Sequence, residues 1–69
     1  MDLTIECEQE VDGRWVAEVI ELPGVLSYGS TRDSAITHVQ ALALRVLADR
    51  LEQGEAAPTW TPIAFATAA

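Results

Sequence analysis

The stretch Glu21-Leu22-Pro23-Gly24-Val25-Leu26-Ser27-Tyr28-Gly29-Ser30-Thr31-Arg32-Asp33-Ser34 divides the chain into two regimes. Before it, apolar residues recur at every second position, and after it they recur with a period of about 3.6. Pro23 fixes φ and Gly24 permits the positive φ that the third position of a type II turn needs, so the chain must reverse here. Val25-Leu26-Ser27-Tyr28 is then a short strand candidate, ended by Gly29. Ser30 or Thr31 can cap the helix that follows, its hydroxyl accepting from an amide of the first turn, and Asp33 adds a negative charge where the helix dipole favours one. Ser30-x-x-Asp33 has the capping-box spacing, and Thr31 is an equally good cap.

Upstream, Asp2 to Gln9 alternates. Leu3, Ile5 and Cys7 point to one face while Asp2, Thr4, Glu6 and Glu8 point to the other, which describes a half-buried strand with an acidic outer side. Arg14 to Ile20, rich in Trp and Val, is a second strand, and Asp12-Gly13 is a hairpin signal. A two-residue turn would bring Glu18 onto the face of Ile5 and Cys7. A three-residue Val11-Asp12-Gly13 loop with Gly13 left-handed aligns Ile5 and Cys7 with Trp15, Ala17 and Val19 instead, and it is preferred because an unpaired carboxylate under the helix is costly. Val16 and Ile20 then share the outer face with Glu18.

Downstream, Arg32 to Gln53 reads as one helix. Ala35, Ile36, Val39, Leu42, Ala43, Val46 and Leu47 form a broad stripe that packs on the sheet, with Thr37, Ala41, Arg45, Ala48 and Glu52 opposite. Leu44 and Leu51 lie at the stripe's edge, where they either cover the final segment or make a contact with a second copy or another partner. Gly54 suits the position just past the helix end, and Pro58 blocks resumption. Ala56-Ala57-Pro58 is a connector. Thr59 to Ala66, with Trp60, Ile63 and Phe65, is a short last strand in which Pro62 argues for an edge or an early bend. The class is therefore α+β, βββαβ: a three-stranded antiparallel meander plus a fourth strand parallel to the first, in the spatial order 3-2-1-4, with one helix on one face. A single domain spans 1–69.

At 69 residues the buried fraction of surface is low, so stability shared with a second copy is expected, as a homodimer or higher homo-oligomer. No run approaches the roughly 20 apolar residues of a membrane span, and the opening Met-Asp-Leu-Thr-Ile-Glu has no export signature, so a cytoplasmic location is expected. The net charge is −7 and its placement is uneven: seven acids up to Glu21 face only Arg14, a balance of −6, while the rest carries −1. Such a field repels phosphate and favours cationic partners, which argues against direct nucleic-acid binding.

The candidate chemistries are weak. Glu6, Glu8 and Glu18 are the only carboxylates that could converge on a metal pair, and on this register they form a solvated face instead. His38 is the single imidazole and projects beside the helix stripe toward Asp49 and Arg45, as a surface residue rather than a general base. Cys7, the only thiol, reads as a small core hydrophobe. Gly24 and Gly29 lack the following Gly-Lys-Ser/Thr of a phosphate loop, and Trp15, Tyr28 and Trp60 read as core and interface anchors rather than a base-stacking platform. No catalytic residue, metal site or cofactor is expected.

Gly13-Arg14-Trp15-Val16-Ala17-Glu18-Val19, then Leu22-Pro23-Gly24 and Tyr28-Gly29-Ser30-Thr31-Arg32-Asp33-Ser34-Ala35 before a single helix, resembles the HicB antitoxin family of bacterial toxin-antitoxin modules over nearly the whole chain. The resemblance implies a partial ribonuclease-H-like fold without the acids of a true nuclease. It also implies a non-enzymatic role, in which the antitoxin binds a small basic HicA-like toxin that degrades mRNA and blocks it. Leu22, Pro23, Gly24, Gly29, Thr31 and Ala35 match the family's fold-determining positions, and Ser34 stands where members usually carry Glu. With the chain ending at Ala69, the resemblance is to a single-domain form without the C-terminal DNA-binding domain of many members. From charge and exposure, Glu6, Glu8, Val16, Glu18 and Ile20 are the expected toxin-binding residues. The alternative is an orphan homo-oligomeric scaffold or small-ligand-binding module with no toxin.

Overall fold

The structure, a computed structural model, describes residues 1–54 and 62–68 of the 69. Its elements run β1 (Asp2–Gln9), β2 (Trp15–Val19), β3 (Leu26–Gly29), α1 (Arg32–Glu52) and β4 (Ala64–Thr67). They form one four-stranded sheet in the order β3-β2-β1-β4, with β4 parallel to β1 and the other pairs antiparallel, and the helix lies on one face. This is the expected topology.

The hairpin register follows from its loop. Gly13 has φ +94, and Glu10 N–H donates to the Arg14 carbonyl, so Val11, Asp12 and Gly13 are the three turn residues. Glycine takes the left-handed conformation without the Cβ clash that other residues meet. Ile5 consequently faces Val19, and Cys7 faces Ala17, leaving Glu6 opposite Glu18. At the second turn Val25 N–H donates to the Leu22 carbonyl at 3.0 Å and Gly24 has φ +86, the type II geometry that Pro23-Gly24 specifies.

One carboxylate finishes what the β1–β2 ladder leaves open. Ile20 N–H still donates to the Thr4 carbonyl, but the return bond from Thr4 N–H goes to Glu21 Oε1 at 2.7 Å, and Thr4 Oγ1 donates to Glu21 Oε2 at 2.8 Å. Both oxygens of Glu21 thus substitute for a strand partner where the chain turns away toward Leu22. The Thr4 donors, the backbone amide first, hold the Glu21 carboxyl below its ordinary value.

The joint between β3 and α1 is set by close approach. A Cβ on Gly29 would lie 2.5 Å from Ala35 N and 2.9 Å from Ser34 C, so only glycine lets the strand end pass this close to the first helical turn. Between the two expected caps the structure selects Thr31: its Oγ1 accepts from Ser34 N–H at 3.0 Å, and its backbone is extended, as an N-cap requires. Gly54, with φ +75, follows the helix end.

Leu3, Ile5, Ala17, Val19, Leu22, Val25, Ala35, Val39 and Ala43 make the core, with Cys7, Trp15, Ile36, Leu42, Val46, Leu47 and Phe65 packed around it. Fully burying a Leu, Ile or Val side chain contributes about 1.5–3 kcal/mol, so the alternation of β1 and the helix stripe supply the main favourable term. Of the last strand expected over Thr59 to Ala66, residues 59–61 lie outside the described residues; β4 is Ala64–Thr67, so Pro62 and Ile63 precede it and it runs one residue further than expected. Pro62 has no N–H for the ladder, and pairing starts beyond it, with Ala64 N–H on the Met1 carbonyl. Trp60 and the connector at 56–58 lie outside the described residues. No helix among the described residues is long and apolar enough to cross a membrane.

Candidate functional site

The helix covers one face of the sheet, packing across β3, β2 and β1, and among the described residues no element covers the other. Alternation from the core positions dictates what stands there: Thr4, Glu6 and Glu8 from β1, Val16 and Glu18 from β2, and Leu26 and Tyr28 from β3. The register sets Glu6 against Glu18, Glu8 against Val16, Val16 against Tyr28 and Glu18 against Leu26. Ile20 follows β2 on the same side and is 45% exposed.

These residues border an open groove of about 460 Å³, lined by Glu6, Cys7, Glu8, Val16, Glu18, Leu26 and Ala68. Glu6, Glu8, Val16 and Glu18, four of the five positions expected to bind a partner, are therefore brought together, while Ile20 sits outside the groove lining. Leu26 and Ala68 are the members that sequence reasoning missed. Finding Leu26 required the β2–β3 register, which could have been counted out from the Leu22-Pro23-Gly24 turn; Ala68 depends on the register of β4 against β1, for which no short-range signal exists. Cys7 is half-buried against the core, as its position in β1 dictates, and touches the groove from that side.

The chemistry available in the groove is anionic and apolar. Glu6 and Glu18 are like charges directly opposite in adjacent strands, an arrangement that disfavours the free sheet and that a cation between them would relieve. At the β3 end, the Arg14 guanidinium lies 4.7 Å from the centroid of the Tyr28 ring and pairs through Nε with Asp12 Oδ2 at 2.8 Å. Arg14 N–H on Asp12 Oδ1 is the first cause, and the guanidinium the next, that holds the Asp12 carboxyl below its ordinary value. The chain's one cation near this face is thus already engaged.

His38 stays on the surface, but its direction differs from the expected one toward Asp49 and Arg45. Its Nδ1–H donates to the Tyr28 carbonyl at 3.0 Å, because β3 passes beside the first turns of α1 and offers an edge-strand acceptor. Among the described residues no group of three or more His, Cys, Asp or Glu is arranged to hold a metal ion. The fold and this face define an α+β sheet-and-helix domain with one open, acidic and partly apolar surface. Comparison of the chain with protein-family models, with curated proteins and with solved structures gave no match.

Proposed function

We propose that the chain is a HicB-like antitoxin, a non-enzymatic cytoplasmic protein that neutralises a small basic HicA-like mRNA-degrading toxin by covering its RNA-binding surface. The observation that carries the reading is the uncovered sheet face, where Glu6, Glu8 and Glu18 stand beside Val16 and Leu26. A surface that binds RNA phosphates is cationic, and an anionic face with apolar side chains at its centre is its complement. Strand order and the single helix agree with the fold that the resemblance implies. His38 donates to the Tyr28 carbonyl and Glu21 accepts from Thr4, so each ties two elements of the fold together.

The test begins with the gene next to this one. A small basic protein encoded there should co-purify with the chain, and its cleavage of RNA should stop when the chain is added. The chain alone should leave RNA intact in Mg²⁺ or Mn²⁺. Failure of the neighbouring protein to bind, or RNA cleavage by the chain that is lost in Glu6→Gln/Glu18→Gln, would contradict the proposal.

A further inference from the structure

The helix carries a second apolar stripe, on the side turned away from the sheet. Ala41, Leu44, Ala48 and Leu51 succeed one another in steps of three, four and three residues, the a/d spacing of a helix-helix seam. All four are exposed, Leu44 at 47% and Leu51 at 53%. The two alanines leave room for a facing helix to approach closely, and the two leucines supply the apolar area that such an approach would bury. Half-buried Leu47 flanks the seam on one side and joins it to the core, while Arg45 and Glu52 flank it on the other.

We propose that this seam pairs with the same seam of a second copy, forming a homodimer through α1 that leaves both acidic sheet faces outward and free. Charge selects the occupant. Arg32, Arg45 and Arg50 balance Asp33, Asp49 and Glu52, so the helix has no net charge, whereas the chain up to Glu21 carries −6. Two copies meeting through their sheets would set Glu6, Glu8 and Glu18 against their equivalents. Two copies meeting through their helices place only alanine and leucine in the seam. A cationic partner finds no complementary charge on the seam but finds it on the sheet, so the two surfaces divide between two kinds of partner. This pairing stands whether or not a toxin binds the sheet, and a chain of 69 residues gains from it the apolar burial that its own core is too small to provide.

Sedimentation velocity of the intact chain tests the proposal. At about 100 µM the wild type should sediment at twice the 7.5 kDa chain mass, and its melting temperature should rise with concentration. Leu44→Lys/Leu51→Lys should weaken self-association by at least about 100-fold while keeping the far-UV circular dichroism of the fold. Ala48→Glu substitutes a good helix former at an exposed seam position, so it should also give a folded monomer even where the double variant unfolds. A wild type that sediments as a monomer, or an Ala48→Glu chain that remains dimeric, would overturn the pairing.

Discussion

Single side chains decide where this fold turns and what condition it tolerates. Glu21 accepts from both donors of Thr4, and its folded pKa lies below the ordinary 4.5. A depressed carboxylate contributes stability that is present above the unfolded pKa and lost as pH falls through the folded one. Urea midpoints of wild type and Glu21→Gln should therefore differ at pH 7, with the wild type more stable, and converge once the pH drops below the folded pKa of Glu21; a gap that persists in acid would mean the carboxylate's charge is not what matters. Gly29 acts through space instead. Its missing Cβ is what lets Ala35 N approach to within contact of the strand end, so Gly29→Ala should destabilise by about 1–3 kcal/mol in chemical denaturation through forced separation of β3 and α1. Both effects stem from one residue each, yet each holds two elements together.

At the level of elements, the helix start is the most exposed joint. Thr31→Ala removes the acceptor for Ser34 N–H and should cost about 1 kcal/mol, read as a lower denaturation midpoint with an unchanged slope. Much of the element plan was legible in the sequence: the alternation of β1, the Gly13 loop that fixes its pairing with β2, the Pro23-Gly24 turn and the helix stripe from Ala35 to Leu47 all rest on local chemistry. What was not legible depends on contacts between distant segments. The choice of Thr31 over Ser30 depends on how β3 delivers the chain, the His38 bond depends on an edge strand ten residues back, and the start of β4 at Ala64 depends on where Met1 presents its carbonyl. The candidate site divides the same way. Glu6, Glu8, Val16 and Glu18 follow from β1 and β2 alone, whereas Leu26 and Ala68 enter the groove only through the outer pairings.

As a whole, the molecule sorts its charge by face, with a neutral helix on one side of the sheet and carboxylates on the other, set around Val16 and Leu26. The sheet sets Glu6 directly opposite Glu18, a like-charge arrangement that costs stability and that a cation docked between them would relieve. Long-range attraction of this kind acts mainly on the rate of encounter and is screened by salt. The most direct test is stopped-flow association between the chain and the small basic partner proposed for it, across a range of ionic strength, for wild type and for Glu6→Gln/Glu8→Gln/Glu18→Gln. Docking on the open face requires the triple variant to associate at least about 10-fold more slowly at low salt, with a much flatter salt dependence. Equal rates and equal salt slopes for the two proteins would contradict it.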